Sequence, residues 1–514
     1  MCGLKVIFHS GSSMIPILTS PSLPVHSKYQ SVYLLNMPKL GLNNPPMAPA
    51  LMQSIAKDMG CSVKFSDVNL YFHQWFQTDN VILNDWCEFG SALDKSQHTE
   101  MLNFTDTLDL ASICNADIVG ISVFSSHSHA YTRWFLEQYR DRIQGKIVIG
   151  GAGVNVGNFG VDLHSQGLID HYVINEGELA WRAILGDSLP YAGVDSNNIP
   201  LTDFSNVPVP DYTGYDLDQY LNSQVYGITI GVEGSRGCVR NCTFCDIRSF
   251  WDKYKFKSGA VLAQELIKLK ETFGVKHFFF NDSLVNGSDK AFRDFCLILA
   301  EYNQGRQDPI AWSGYYIVKP AGTYKPRDWK NLKDSGVQSL YIGIESGSEA
   351  VRHHMKKKFS NNDIHDAMYN VQINGIKCTW LLIIGYPTET EEDFQQTLDL
   401  LTEYQHMGLD RTIDTVALGM TMGILPGSPL ELLKDELNIR SVIQDHQVAS
   451  VFWESDHSDF RTRILRRIRA EEHIRALGYN SWVGDNDVIS YFEKKLQEIE
   501  QGTIVYDDIA EHHG

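Results

Sequence analysis

Apolar runs of four to seven residues recur along this chain, most of them followed by a stretch with helical spacing. That alternation restricts the fold more than any other feature. Parallel strands cannot be joined by a hairpin and need a crossover of a dozen residues or more, usually a helix. Strand–helix repeats therefore build a parallel sheet covered by helices. The first series is Ser31–Leu35, Ser62–Val68, Asp117–Val123, Lys146–Ile149 and His171–Ile174. Helical sequence lies at Ala48–Met59, in the mixed stretch 70–113, and at His129–Arg142. This predicts an α/β, doubly wound, Rossmann-like domain over residues 31–190, after an irregular segment at 1–30. Residues 191–223, with Pro200, Pro208 and Pro210 among Asp, Asn and Ser, have the composition of a linker. A second series follows at Gly227–Gly231, Lys276–Phe280, Ile310–Tyr315, Ser339–Ile344, Thr379–Ile384 and Thr415–Met420. Helices are expected at Ala260–Thr272, Lys290–Tyr302, Asn362–Asn374 and Glu391–Gln405. Such units predict a partial or complete β/α barrel over residues 224–432, with its chemistry at the C-terminal ends of the strands. Residues 433–514 read as a smaller helical region.

Charge and cysteine usage narrow the function. Lys and Arg total 44 against 63 Asp and Glu, a net charge of −19. Such a balance repels phosphate backbones and anionic lipid, so polyanion binding is not expected as the main role, nor is a nucleic-acid substrate. Prolines at 16, 21 and 24 interrupt any apolar core of a signal peptide, and no stretch approaches the length of a spanning helix. A cytoplasmic protein is expected. The run from Arg461 to Arg475 reads as a basic, solvated helix face over an apolar stripe, with a docking surface for an acidic partner as the alternative, and His512–His513 as a frayed tail.

Of the 9 cysteines, Cys2, Cys61, Cys87, Cys114, Cys296 and Cys378 are scattered, as small apolar core residues usually are. Cys238, Cys242 and Cys245 are clustered, in the segment Gly234-Ser-Arg-Gly-Cys-Val-Arg-Asn-Cys-Thr-Phe-Cys245. On a loop this spacing brings three thiolates around one point. Three suit an iron–sulfur cluster in which one iron keeps an open position for an external ligand. A zinc site recruiting a distant His or Asp, or thiols without metal, are the other readings.

The cysteine segment, with Phe244 before its last cysteine and directly after the first barrel strand, resembles the signature of the radical S-adenosylmethionine (radical SAM) superfamily. Later segments resemble that family's weaker motifs in the expected order. Asn281-Asp282 resembles the contact to the methionine amino group. Tyr341-Ile-Gly-Ile-Glu345-Ser346-Gly-Ser348, with Met355 and Lys356 downstream, resembles the segment near the ribose and carboxylate. Ile383-Ile-Gly385-Tyr-Pro387-Thr-Glu389-Thr390 resembles the fifth-strand turn by the adenine, and Leu425-Pro-Gly-Ser-Pro-Leu430 the segment closing the sixth strand. For Glu345 and Asp282, a barrel-end carboxylate in a hydrogen-bond network and a turn or N-cap residue are the competing roles. The resemblance covers roughly residues 224 to 432. It implies a [4Fe–4S] cluster on Cys238, Cys242 and Cys245, with SAM contacted by Phe244, Asn281, Asp282, Glu345 and Ser346. It also implies a reductant such as flavodoxin or ferredoxin, and cleavage of SAM to methionine and a 5′-deoxyadenosyl radical. No residue is assigned a further catalytic role.

The first domain, read with this barrel, resembles the cobalamin-binding domain that precedes many radical SAM barrels. Candidate contacts are Ser122, Ser125, Gly150, Gly151, Gly153 and Glu176, on the loops after successive strands. One departure is plain: the loop after the first strand, Asn36-Met-Pro-Lys-Leu-Gly41, lacks the histidine of D-x-H-x-x-G. His127 and His129 lie on a different loop. The resemblance implies a cobalamin-dependent methyltransferase acting on an unactivated carbon or phosphinate of a small molecule. Radical chemistry without methyl transfer, such as cyclisation, ring contraction or oxidative rearrangement, is the alternative, and a non-catalytic metal-binding module is the alternative of another class. Methylthiolation is disfavoured, because Cys61, Cys87 and Cys114 are spaced too widely to hold a second cluster. Trp312, Tyr315 and Trp380 are candidates to line the cavity; nothing in the sequence names the substrate.

Overall fold

The computed structural model describes residues 24–76, 86–87, 93–188, 192–195, 201, 203–251, 253–419, 422–441 and 453–481, with four isolated positions beyond. Residues 1–23 of the expected irregular start, Cys2 and the His512–His513 tail lie outside the described residues. The chain divides into two compact units, residues 1–231 with 271–275, and residues 232–270 with 276–514. Among the described residues no helix is long and apolar enough to cross a membrane.

The first unit is built on β1 (Ser31–Asn36), β2 (Ser62–Asp67), β3 (Ile118–Ser122), β4 (Lys146–Gly150), β5 (His171–Ile174) and β6 (Gly193–Asp195). All pair in parallel, in the order β2-β1-β3-β4-β5-β6. Apolar residues cover both faces of the sheet. Val32, Leu34, Ile118, Val148 and Val173 pack on one side, and Tyr33, Leu35, Val119, Ile121 and Ile147 on the other. Five strands follow the expected series within two residues at each end. The sixth, β6, arises inside the segment expected to be linker, where Val194 joins the core. Three residues are too few to show a strand's period.

The order reverses between β1 and β3, and the loops leaving β1, β3, β4 and β5 gather at the carboxyl edge of the sheet. This is where an open α/β sheet binds its ligand. The β3 and β4 loops are knitted together by backbone: Val123 N–H donates to Gly150 O at 2.8 Å and Gly153 N–H to Val123 O at 3.0 Å. A Cβ on Gly151 would lie 2.4 Å from Val123 O, and one on Gly153 would lie 2.7 Å from Ser125 O. The glycine run thus admits a neighbouring loop, rather than the bulky ligand that such a run suggests in isolation.

The second unit carries a seven-stranded parallel sheet whose first strand, β7 (Thr229–Val232), runs across the boundary of the two units. After the short antiparallel pair β8 (Ser235–Arg236) and β9 (Lys255–Phe256) come β10 (His277–Phe280), β11 (Ala311–Tyr316), β12 (Val337–Glu345), β13 (Lys377–Leu382) and β14 (Ile413–Leu418). These strands stand in sequence order, β7-β10-β11-β12-β13-β14. A second short antiparallel pair, β15 (Arg440–Ser441) and β16 (Trp453–Glu454), precedes β17 (Asn480–Ser481), which follows β14 at the sheet edge. Strand β7 is not paired with β17, so this is a partial barrel. Several intervening helices begin on a Ser or Thr whose side chain accepts a backbone N–H of the first turn. Ser288, Ser348, Ser360 and Thr390 do so, which fixes where each helix leaves its strand.

Trp312 and Trp380 belong to the helix side of this sheet. Trp312 is fully buried against Phe280, Phe292 and Phe295, and Trp380 donates its indole N–H to the Met368 sulfur. They are core residues on that side of the sheet. Tyr315 faces the other way and is half-buried with Tyr341 and Phe279, ring centroids 5.4 and 5.6 Å from Tyr341.

Backbone packing at the β4 loop sets a measurable expectation. Gly151 (φ 116°) and Gly157 (φ 59°) both occupy left-handed backbone, but a Cβ at Gly157 meets nothing. Gly151→Ala should lower stability by about 1–3 kcal/mol and Gly157→Ala by about 1 kcal/mol, read from urea unfolding midpoints.

Candidate functional site

The three cysteines lie on one excursion of the chain between β8 and β9. Arg236 pairs with Lys255 across the β8–β9 ladder, so the excursion is pinned at both ends. At its root Asp282, fully buried after β10, accepts Gly234 N–H at 2.9 Å and the Ser235 hydroxyl at 2.5 Å. At its centre Thr243, also buried, is tied on three sides. Its N–H donates to Met355 O at 3.1 Å, its hydroxyl meets the Tyr386 hydroxyl at 2.8 Å, and its carbonyl accepts Leu430 N–H at 2.7 Å. The segments that follow β10, β12, β13 and β14 therefore all hold this one loop.

Cys238, Cys242 and Cys245 are half-buried free thiols within electrostatic reach of one another. Burial pushes the Cys242 thiol up to about 11, opposed by the Lys357 ammonium, and burial raises Cys245 as well. Among the described residues no three His, Cys, Asp or Glu groups converge closely enough to ligate one metal ion. That is compatible with a four-iron cluster, in which each thiolate binds a different iron. The donor set fits such a cluster, with three thiolates for three irons and no fourth cysteine in the loop. A bound metal reverses the penalty of burial by deprotonating its thiols.

Beside Cys242 stands a buried ion pair absent from the sequence reading. Lys357 Nζ lies 2.8 Å from Glu345 Oε1 and 5.9 Å from the centre of the Phe244 ring. Burial opposes the charge on Lys357, but Glu345 and the Cys242 sulfur outweigh it and hold the ammonium above its ordinary value. Glu345 closes β12 in left-handed backbone (φ 65°), where the register with β13 shifts. In Met355-Lys-Lys-Lys-Phe359, Lys356 and Lys358 are exposed while Lys357 turns inward. The sequence flagged Lys356, one position away from the lysine that forms the pair.

The expected SAM contacts separate into two groups. Phe244 and Glu345 meet at Lys357 beside Cys242. Asn281 is exposed, and its N–H continues the backbone ladder to Val232 O. The Asp282 carboxylate points to the root of the cysteine loop. Ser346 is buried, with its hydroxyl at the Ser348 N–H and near Thr397. Beneath the β13 turn, Glu389 accepts Gly385 N–H at 2.8 Å, and Arg466 lies 3.3 Å from its carboxylate.

That arginine corrects the reading of the basic run. The Phe460–Ala476 helix buries Arg463, Arg466 and Arg467 rather than presenting them to solvent. Arg463 stacks 3.8 Å from the centre of the Trp453 ring, and Arg467 pairs with buried Glu471 at 2.9 Å.

In the first unit, Ser122, Ser125, Gly150, Gly151, Gly153 and Glu176 do gather at the carboxyl edge. Ser122, Ser125 and Gly150 are half-buried, while Gly153 and Glu176 are buried. Phe124 and Val156, on the same loops, are 64 % and 49 % exposed, an apolar lip that sequence reading did not single out. The β1 loop is braced instead of bearing a ligand histidine. Asn36 donates to Asp67 at 2.8 Å, and Leu40 N–H to Asn69 at 2.8 Å. His129 is engaged: its Nε2 is 2.8 Å from Gly153 O, and its ring stacks on Phe159 at 3.8 Å. Cys61 and Cys87 sit in cores on opposite faces of the sheet, which removes the basis for a second cluster there.

Residues 232–401 match the Radical SAM superfamily, so the chain carries a radical SAM domain around this loop. The fold is shared with two solved structures. TsrM from Kitasatospora setae, a radical S-adenosylmethionine methyltransferase solved with cobalamin and a [4Fe-4S] cluster, aligns over 82 % of both chains with TM-score 0.56 and 14 % identity. OxsB, a cobalamin-dependent S-adenosylmethionine radical enzyme, covers 91 % of this chain and 72 % of its own, with TM-score 0.60 and 15 % identity. Among curated relatives, an uncharacterized methyltransferase of Pyrococcus horikoshii is 26 % identical over 316 residues, which is 58 % of this chain and 67 % of that protein. The cytidylyl-2-hydroxyethylphosphonate methyltransferase of Streptomyces wedmorensis is 27 % identical over 213 residues, 37 % of each chain. The chain thus spans between about a third and two thirds of these relatives' lengths.

Asp282 gives this site a pH signature. Burial raises its carboxyl from the model-compound value of 3.8 to about 7. Between those values the folded protein binds a proton that the unfolded chain has lost, so this group makes stability fall as pH rises from about 4 to about 7. Asp282→Asn should lack that component. The difference in unfolding midpoint, wild type minus variant, should shrink as pH rises through this window.

Proposed function

We propose that this protein is a cobalamin-dependent radical SAM methyltransferase of a reducing, cytoplasmic setting, transferring a methyl group to an unactivated carbon or phosphinate of a small molecule. The observation that carries the reading is the pairing, in one chain, of a radical SAM domain with a parallel sheet of order β2-β1-β3-β4-β5-β6. TsrM and OxsB support it as proteins of the same fold solved with cobalamin.

Cys238, Cys242 and Cys245 would hold the [4Fe–4S] cluster, which when bound would supply single-electron reduction of SAM. Cobalamin, when bound at the carboxyl edge of the first sheet, supplies a methyl carrier. The remaining work belongs to the chain's own residues. Thr243 and Asp282 fix the cysteine loop so that its sulfurs do not rearrange when charge changes. The Glu345–Lys357 pair sets a fixed positive and a fixed negative group beside Cys242, suited to orient a ligand that carries both an ammonium and a carboxylate. Phe244, Tyr341 and Tyr315 present apolar faces that exclude water from a reactive radical.

Radical chemistry without methyl transfer is the second reading, favoured by the wider span of the match to OxsB, which is not described as a methyltransferase. Product analysis separates the two. Anaerobically reconstituted protein, supplied with SAM, hydroxocobalamin and dithionite, should form 5′-deoxyadenosine together with S-adenosylhomocysteine, the latter up to one per bound cobalamin because no methyl acceptor is present. 5′-Deoxyadenosine without S-adenosylhomocysteine would transfer the assignment to the second reading. Cys242→Ala should fold and yield neither product; retained 5′-deoxyadenosine would contradict the cluster assignment.

A further inference from the structure

The helix Phe460–Ala476 and the chain just before it bear on the turn that follows β13, residues 383–389. Ser455, one residue past β16, donates its hydroxyl to Pro387 O at 2.7 Å. Arg466 donates from Nη1 to Glu389 O at 2.9 Å and lies 3.3 Å from the same residue's carboxylate. Gly385 is left-handed at φ 86°, and a Cβ there would lie 2.5 Å from Arg463 Cγ, so the turn is shaped around the arginine stem. Arg463 is itself held, since its guanidinium stacks on Trp453, whose indole N–H donates to Met422 O at 2.9 Å. Ser455, Arg463 and Arg466 are all buried. On its other side the turn reaches the cysteine loop. Tyr386 is 1 % exposed, and its hydroxyl lies 2.8 Å from the Thr243 hydroxyl and 3.3 Å from His354 O. Thr243 directly follows Cys242. Buried contacts thus run without a break from Arg466 through Glu389, Gly385 and Tyr386 to the chain between Cys242 and Cys245.

We propose that Arg466 and Arg463, on the C-terminal helix, are positioning residues for the three-cysteine site: by holding the turn after β13 they set Tyr386, and through Thr243 they set the sulfurs beside it. The inference rests on the radical SAM reading above and extends it to the C-terminal helix, to which that reading gives no part. The turn closes on itself by two bonds, Gly385 N–H to Glu389 at 2.8 Å and Glu389 N–H to Tyr386 O at 2.8 Å. Those bonds fix its shape and leave its position against the barrel to other contacts. Arg466 supplies two of different kinds, a bond to the Glu389 backbone and an ion pair with its side chain. A buried charge pair demands good geometry, because a displaced partner keeps the cost of burial and loses its compensation. The turn therefore sits in a steep well. That steepness matters at a reacting centre, where a displacement of about 1 Å costs up to about 10²-fold in rate. Ser455 and Arg463 act in the same direction from Pro387 and Gly385.

The test compares reconstituted full-length protein with Arg466→Met, with the double variant Glu389→Gln/Arg466→Met, with Ser455→Ala and with Arg475→Gln. Arg475 lies in the last turn of the same helix and pairs with Glu471 at 3.1 Å. Each protein is measured for iron content, thermal midpoint, and the SAM concentration that half-changes the electron paramagnetic resonance signal of the reduced cluster. Arg466→Met leaves Glu389 buried without its cation and should lower the midpoint. The double variant leaves no lone charge and should recover most of that loss. The proposal expects both to load iron as the wild type does, and both to need about tenfold more SAM. Ser455→Ala, which takes one hydroxyl from the turn, should shift that concentration about threefold in the same direction. Arg475→Gln should lower the midpoint and keep the wild-type SAM response. A double variant that regains the SAM response together with its stability overturns the proposal, since Arg466 would then serve the fold alone. So does a SAM defect in Arg475→Gln as large as in Arg466→Met. Should Arg466→Met fail to fold, the double variant and Ser455→Ala decide by the same criterion. A wild-type cluster signal indifferent to SAM overturns the radical reading and this proposal with it; a SAM-sensitive wild type with indifferent variants overturns the positioning role alone.

Discussion

A loop with three cysteines can present them to a cluster only if something besides the cluster fixes its backbone. Here that anchor is a set of buried hydrogen bonds at two points, Asp282 at the root and Thr243 at the centre. Each is sheltered from water, where a hydrogen bond gains strength and a missing partner costs most. Thr243 alone reads the position of three other segments, since Met355, Tyr386 and Leu430 come from the chain after β12, β13 and β14. The barrel is therefore the instrument that sets the loop. Any strand that slipped by one residue would withdraw a partner from Thr243.

A second layer of buried charge supports the first. Glu389 restrains the turn after β13 through Gly385 and is itself met by Arg466 from the C-terminal helix. Isolated, these charges would be too expensive to bury; paired, they lock that helix to the barrel's end. The sequence did not reveal this, for a physical reason. An arginine-rich run with Ile and Leu between has the pattern of a solvated amphipathic helix. Burial of Arg463, Arg466 and Arg467 depends on Trp453, Glu389 and Glu471, and Glu389 lies 77 residues from its arginine along the chain. Lys357 escaped notice similarly. Among three consecutive lysines, only the left-handed turns at Lys356 and Lys358 determine which one faces inward.

What periodicity encodes was readable. The expected strands of both sheets begin and end within about two residues of their limits, β6 and β17 being the two that were not expected, because apolar runs and Ser or Thr caps are local signals. The cysteine loop was equally plain, since its spacing is its signal. Tertiary facing was not. Trp312 and Trp380 lie on strands leading to the site, yet one step of the pleat turns them to the helices, while Tyr315 and Tyr341 take the open face. In the first unit the glycine run marked the right edge of the sheet for an incomplete reason, since Gly151 and Gly153 admit the β3 loop.

The central claim is that Cys238, Cys242 and Cys245 hold a cluster with one iron open to SAM. Electron paramagnetic resonance of anaerobically reconstituted, dithionite-reduced protein tests it most directly. The account predicts an S = 1/2 signal of a reduced [4Fe–4S] centre whose shape changes when SAM is added. A reduced-cluster signal indifferent to SAM, or no cluster signal at all, would contradict it.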